Sequence, residues 1–91
     1  MRLSWTSKAL GDLARLHAFL VTVNPSAAAA AVQKLTAAPR VLLTQPRIGT
    51  LLPEFAPREV RRLIVGDYEM RYELIGEAAV VVRVWHTRED R

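Results

Sequence analysis

Residues 60–86 read VRRLIVGDYEMRYELIGEAAVVVRVWH, and polar and apolar side chains alternate along most of this stretch. A period of two is typical of β-strands, because successive side chains point to opposite faces of a sheet. Two glycine-containing steps, Gly66-Asp67 and Gly76-Glu77, interrupt the alternation. The pattern predicts three consecutive strands, at residues 60–65, 68–74 and 79–86.

The Gly66-Asp67 step is a two-residue hairpin signal that fixes the register of the first two strands. The predicted pairs on the core face are Val65–Tyr68, Leu63–Met70 and Arg61–Tyr72. Arg62 and Arg71 then lie directly opposite each other on the outer face. Like charges in that position destabilise a sheet unless an anion compensates them. Glu69 or Glu73 on the diagonal, or carboxylates of a partner, could supply it.

The alternation of side chains between the two faces of the sheet also predicts the length of the second turn. A two-residue turn at Gly76-Glu77 would place the alternate valines of the last strand opposite charged residues. A three-residue loop at residues 75–77, or an equivalent bulge, instead places them on the buried face. We therefore expect the three-residue loop or the bulge. The resulting register also places Arg83 opposite Glu69.

The front half of the chain is predicted to be mainly helical. Residues 2–5 suit a short strand, and Thr6 or Ser7 can cap a helix whose leucines recur at helical spacing. Asn24-Pro25 ends that helix and starts another, which Pro39 should break near residue 38. The expected architecture is α+β: a short N-terminal strand and an antiparallel helical hairpin packed on one face of a small antiparallel β-sheet, in a single domain over residues 1–91.

Composition narrows the possible chemistry. The 91 residues contain no cysteine, which excludes disulfides, thiolate metal sites and a cysteine nucleophile. His17 and His86 provide no metal-ligand spacing, so neither a metal nor a cofactor is implied. No apolar run has the length of a membrane span, and the polar start of the chain does not resemble a secretory signal. We therefore expect a cytoplasmic protein without membrane association.

Charge is distributed unevenly along the chain. The net charge is +4, from 13 Lys and Arg against 9 acids, and it favours an anionic partner, although arginine-rich coding in a GC-rich genome accounts for it equally well. Residues 1–46 hold five bases against Asp12 alone, whereas residues 47–91 hold eight arginines and eight acids. This balance along the predicted sheet favours recognition of proteins over binding of phosphates.

Several short blocks together resemble the RelE/ParE superfamily of toxins, and the closer resemblance is to the ParE branch. The blocks are Arg61-x-Leu63-x-Val65-Gly66-x-Tyr68-x-Met70-x-Tyr72, Arg83-Val84-Trp85-His86-x-Arg88, Asn24-Pro25 with its alanine-rich helix, and Leu42-x-x-x-Pro46-x-x-Gly49. The resemblance implies the toxin of a type II toxin–antitoxin system. ParE-type toxins inhibit DNA gyrase, whereas RelE-type toxins share the fold and cut messenger RNA on the ribosome.

The resemblance also implies the partners. A cognate ParD-like antitoxin, a ribbon-helix-helix protein with an acidic or amphipathic C-terminal segment, would hold the toxin in a hetero-oligomer. Operator DNA would be bound only through that antitoxin. On the toxin, Arg62, Arg71, Arg83 and Trp85 are the candidate antitoxin-binding residues. Trp85 is either an exposed anchor for the partner or a side chain covered by the termini.

If the chain were a nuclease, His86 would be its acid or base, and Arg61 and Arg83 would hold the phosphate. Glu69 stands where the family often has arginine, and Thr87 stands where several RelE-type members have tyrosine. The predicted register also places Arg61 and His86 on the core face and Arg83 on the outer face. The sequence therefore favours gyrase inhibition by binding. A ribosome-dependent nuclease and an inactive regulatory relative are the alternatives.

Single residues also have structural interpretations. His86 is more typical of a packed or capping residue than of a catalytic base. Arg61 is expected to pair with a helix acid such as Asp12, and a contact with the antitoxin is the alternative.

Overall fold

The computed structural model describes residues 1–89. In chain order its helices and strands are β1 (Arg2–Trp5), α1 (Ser7–Val21), α2 (Pro25–Ala37), β2 (Thr50–Leu51), β3 (Glu59–Val65), β4 (Tyr68–Ile75) and β5 (Ala78–His86). Two short 3-10 helices, Ala38–Leu43 and Pro53–Phe55, lie between α2 and β3. The predicted α+β architecture is confirmed.

Both predicted helix starts are capped by side chains. The Thr6 hydroxyl accepts a hydrogen bond from the backbone N–H of Ala9 (3.0 Å), and the Asn24 side chain accepts from Ser26 and Ala27. These bonds satisfy amides that have no partner inside the helix. Pro39 ends α2 as predicted, and the chain continues in the first 3-10 helix.

The strands form one sheet in the order β1-β5-β4-β3-β2. The pairs from β2 to β5 are antiparallel, whereas β1 runs parallel to β5, so the sheet is mixed at one edge. β1 pairs only as far as Val81, because the chain turns into α1 after Trp5. Within residues 1–89, no other strand pairs with this edge of β5 beyond that point.

The first hairpin has the predicted register. Val65 pairs with Tyr68, Leu63 with Met70 and Arg61 with Tyr72, and Arg62 lies opposite Arg71. Gly66 has a φ of 59°, a conformation that glycine adopts without steric cost and that a two-residue hairpin turn requires.

The second hairpin differs from the predicted loop and contains the bulge instead. Ile75 pairs with Ala78 across a two-residue turn, and the register shifts between Tyr72, which faces Val81, and Arg71, which faces Arg83. Val82 is therefore the extra residue of β5. The predicted pairing of Arg83 with Glu69 is wrong, because Glu69 lies opposite Trp85.

The bulge lets β5 keep its apolar side chains in the core. Val81 and Val84 are both fully buried although they are three residues apart, a spacing that a regular strand cannot place on one face. They pack with Leu13 and Leu16 of α1 and with Leu35 of α2. The helical hairpin thus covers one face of the sheet, and the opposite face carries the charged residues.

Candidate functional site

A row of three arginines crosses the outer face of the sheet. Arg62 of β3 lies opposite Arg71 of β4, which in turn lies opposite Arg83 of β5. The Arg62–Arg71 pair was predicted from the hairpin turn. Arg83 joins the row only because the bulge at Val82 shifts the register by one residue. We call Arg62, Arg71 and Arg83 the arginine row.

Two members of the arginine row are neutralised within the chain. Nε of Arg71 donates to Glu69 (3.1 Å), and the Arg83 guanidinium donates to both carboxylate oxygens of Asp12 (2.8 and 3.2 Å). The two guanidiniums also lie 4.6 and 4.9 Å from the centre of the Trp85 ring, within the range of cation–π attraction. These contacts offset the repulsion that directly opposed arginines would otherwise produce.

Trp85 is only 7% exposed, so of the two sequence-based interpretations the structure agrees with the covered side chain.

Arg62 differs from the other two members of the arginine row. Among residues 1–89 its buried Nε has no hydrogen-bond partner. A buried donor without a partner lowers the stability of the fold.

Asp12 joins α1 to the uncovered edge of β5. Its carboxylate receives the Arg83 guanidinium, the backbone N–H of Val84 (2.9 Å) and, at 3.4 Å, Arg15. Asp12 is 5% exposed, and burial alone would raise its pKa. The hydrogen bonds from Arg83 and Val84 nevertheless hold that pKa below its ordinary value. The sequence-based expectation that Asp12 would pair with Arg61 is wrong.

Arg61 instead holds the loop before β2. Its guanidinium donates to Glu59 (2.9 Å) and to the backbone carbonyl of Gly49 (2.8 Å). Arg47 binds the same Glu59 carboxylate (2.9 and 3.0 Å). In the same loop the Tyr72 hydroxyl donates to the carbonyl of Pro46 (2.7 Å) and accepts from the N–H of Gly49 (2.9 Å). Arg61 therefore has a structural role in the chain.

His86 lies at the far end of β5, opposite Tyr68. The two rings meet edge to face with centroids 5.4 Å apart. Nδ1 of His86 accepts a hydrogen bond from the backbone N–H of Arg88 (3.1 Å), and the backbone N–H of His86 donates to the Glu89 carboxylate (2.8 Å). Arg61 therefore lies in a network with Glu59 and Gly49, whereas Arg83 and His86 are linked through Asp12, Arg15 and Glu89.

An apolar groove of about 670 Å³ opens beside His86 on the helical side of the sheet. One wall consists of Leu16, Phe19, Leu20 and Val23, and Tyr68 and His86 contribute the other. Sequence reasoning assigned the leucines to the helix face but missed the groove. The sequence signal that could have revealed the groove was the apolar pair Phe19 and Val23. These residues continue the helical spacing of the leucines, and one helical hairpin cannot bury all of these side chains.

Within residues 1–89 no cluster of three potential metal ligands occurs. In the same part of the chain no helix is long and apolar enough to span a bilayer.

Comparison with known proteins identifies the family. The family model described as "ParE toxin of type II toxin-antitoxin system, parDE" matches residues 3–91. The chain belongs to the ParE toxin family. The solved structure "Chromosomal ParDE TA system from P. aeruginosa" is similar to this ParE-type toxin, with a TM-score of 0.80 and 26% sequence identity. The alignment covers 94% of this chain and 95% of that one. A comparison with curated proteins finds no match.

The carboxylates that hold this ParE-type fold together predict how it responds to acid. Hydrogen bonds from Arg47 lower the pKa of Glu59, and those from Arg58 lower the pKa of Glu73, as hydrogen bonds do for Asp12. A pKa that is lower in the folded than in the unfolded chain stabilises the fold above the unfolded pKa, about 4. That stabilisation is lost as the pH falls through the folded pKa.

We therefore expect the free energy of unfolding to decrease as the pH is lowered below about 4. Urea unfolding at a series of pH values measures this decrease. Asp12→Asn should lose less stability than the parent on acidification, because its side chain carries no titrating proton. An unfolding midpoint of the parent that does not change down to about pH 3 would contradict this prediction.

Proposed function

We propose that this ParE-type toxin inhibits DNA gyrase by binding to it rather than by cleaving RNA. The supporting observation is that the candidate cations are already bound within the chain and that Arg61 lies apart from the other two candidates. Cleavage of this kind needs an acid or base and phosphate-holding cations around one phosphate. Arg61 is instead bound to Glu59 and Arg83 to Asp12, and the His86 ring packs against Tyr68.

The proposal includes a neutralising partner, a ParD-like antitoxin with a ribbon-helix-helix part and an acidic or amphipathic C-terminal segment. In the cytoplasm the two proteins would form a hetero-oligomer that reaches operator DNA only through the antitoxin. The arginine row supports an acidic contact. A carboxylate placed beside the Arg62 guanidinium would add negative charge to a line of three cations, two of which already have carboxylate partners within the chain. Trp85 lies beneath two of these cations and would hold them in place.

A supercoiling assay with purified gyrase tests the proposed target. The toxin at micromolar concentration should block supercoiling or increase the amount of cleaved DNA complex, and prior mixing with the product of a neighbouring antitoxin gene should reverse the effect. Mapping of RNA ends in a translating extract serves as the parallel arm. Cleavage within messages that His86→Ala abolishes, with gyrase unaffected, would identify a ribosome-dependent nuclease and overturn the proposal.

The antitoxin contact leads to a mutational prediction. Arg62→Glu should weaken binding of the antitoxin by about tenfold or more, since it replaces a cation at the end of the arginine row with a repelling carboxylate. Isothermal titration calorimetry measures the dissociation constant. The matched control is Arg40→Glu, an exposed residue of the first 3-10 helix. An equal loss in both variants would indicate an effect of net charge alone and would contradict a contact at Arg62.

A further inference from the structure

Another pocket, of about 320 Å³, opens beside the arginine row, between the sheet and the start of α1. Four cations line it: Lys8, Arg58, Arg71 and Arg83. Among residues 1–89 the lining includes no carboxylate. Acids and bases balance along residues 47–91, but inside this pocket the structure places only the bases. We call it the cationic pocket.

The arginines of the cationic pocket are fixed in place and still have unused donors. Arg58 donates from Nε and one terminal nitrogen to Glu73 (3.1 and 2.8 Å), and Arg83 binds its carboxylate partner in the same way. Arg71 donates only from Nε. Within the described chain each of these guanidiniums therefore has at least one terminal nitrogen without a hydrogen bond. Guanidiniums that are held in this way suit an anion with several oxygens.

Lys8 makes the local charge positive. It is exposed, and among residues 1–89 it forms no ion pair. The four cations of the pocket are bound by three neighbouring carboxylates that do not line it, so one positive charge remains. A phosphate ester carries close to two negative charges and three strong acceptor oxygens. It can therefore bind several of the unused donors at once, which a two-oxygen carboxylate does less well.

An aromatic ring gives the cationic pocket a second chemical character. The half-buried Phe55 lines it, and the Arg71 guanidinium lies 5.6 Å from the centre of that ring. Val60 and Val82 add aliphatic surface. Bases stack on aromatic side chains whatever their identity, so a ring beside cations suits a nucleobase that carries a phosphate. The volume lies at the lower end of the range for small-molecule sites and suits one nucleotide.

The acids of β4 favour a single nucleotide over a nucleic acid strand. Glu69 and Glu73 lie two residues before and after Arg71, and side chains two residues apart share a face of a strand. A nucleic acid needs cations along its whole path, whereas these carboxylates flank the cation at the centre of the pocket.

We propose that the cationic pocket binds a nucleoside 5′-phosphate, with the phosphate on Lys8, Arg71 and Arg83 and the base against Phe55. This inference goes beyond gyrase inhibition and does not depend on it.

Isothermal titration calorimetry with the 5′-monophosphates of adenosine, guanosine, cytidine and uridine tests the pocket. At least one should bind saturably, and its nucleoside and ribose 5-phosphate should each bind about fivefold more weakly or less. Lys8→Ala should weaken binding by about threefold or more. Lys34→Ala is the matched control, because Lys34 is also an exposed helical lysine but lies outside the pocket lining, and it should leave the affinity unchanged.

Phe55→Leu separates the base from the phosphate. It should remove most of the preference for the nucleotide over ribose 5-phosphate and leave the affinity for ribose 5-phosphate unchanged, since leucine keeps an apolar side chain but offers no ring. Circular dichroism verifies that each variant is folded. A preference that stays as large in folded Phe55→Leu as in the parent would contradict the assignment of the base.

Several other outcomes would overturn the proposal. Absence of binding by all the nucleotides at millimolar concentration would do so, as would equal losses in Lys8→Ala and Lys34→Ala. Inorganic phosphate that binds as tightly as the nucleotides would indicate an unspecific anion site. Tighter binding of a short oligonucleotide or of an acidic peptide would assign the pocket to nucleic acid or to a protein. The assay contains neither gyrase nor antitoxin, so its failure leaves the proposed function intact.

Discussion

Asp12→Ala is expected to lower the free energy of unfolding by about 2–4 kcal/mol, because it removes a charged acceptor beside the one-third exposed Arg83 and leaves the Val84 N–H buried without a partner. Three donors lose this acceptor at once: the Arg83 guanidinium, the backbone N–H of Val84 and Arg15. The N–H lies on the part of β5 that β1 does not cover, so no neighbouring strand of the described residues, 1–89, supplies a replacement. Domains of this size are stable by only about 5–15 kcal/mol, which makes this a large fraction of the total.

Urea unfolding followed by circular dichroism at neutral pH measures the change. Glu54→Ala is the control, since Glu54 is an exposed acid and its removal changes the net charge by the same amount. A loss for Asp12→Ala no larger than that for Glu54→Ala would mean that the carboxylate does not hold α1 to β5. Asp12→Asn should fall between the two, because its amide oxygen can still accept from Val84.

Gly49→Ala is the second large effect, with an expected loss of about 2–3 kcal/mol. A Cβ at Gly49 would lie 2.7 Å from the carbonyl oxygen of Arg62 and 2.7 Å from the Tyr72 hydroxyl. Carbon atoms do not approach backbone oxygens that closely, so the loop must move away from β3. That movement would stretch the hydrogen bonds that Gly49 makes with Tyr72 and Arg61.

Gly11→Ala provides a matched comparison for the same substitution. Gly11 lies within α1, and nothing lies within 4 Å of the added Cβ. Alanine is the better helix former, so this variant should gain roughly 0.5–1 kcal/mol. The two unfolding midpoints should therefore move in opposite directions. Equal shifts of the same sign would contradict the steric explanation at Gly49.

Local sequence rules predicted much of the fold. The Gly66-Asp67 turn set every pair of the first hairpin, including the Arg62–Arg71 pair that begins the arginine row. Asn24 and Pro39 marked the start and end of the second helix. These features depend on contacts between residues that are near each other along the chain, and side-chain periodicity is sufficient to predict them.

The candidate site was predicted only in part. Arg62 and Arg71 were assigned to one face correctly, but the acid that neutralises Arg83 was not identified. The apolar groove was missed as well, because its walls come from α1 and from the distant β4 and β5. Residues separated by more than forty positions meet there, and no local pattern encodes that meeting.

The sequence by itself determined the family resemblance, the order of the two helices and of four of the five strands, the first hairpin and the concentration of positive charge in the front half. Tertiary structure alone decided the register of β5 and which of its side chains are buried. The alternation of side chains along the strands required a three-residue loop or a bulge. The burial of both Val81 and Val84 selected the bulge at Val82. The carbonyls of Val81 and Val82 are then bound by Thr6, and Arg83 meets Asp12. The physical reason is that a bulge gains its stability from long-range packing and hydrogen bonds, which exist only once the helices cover the sheet.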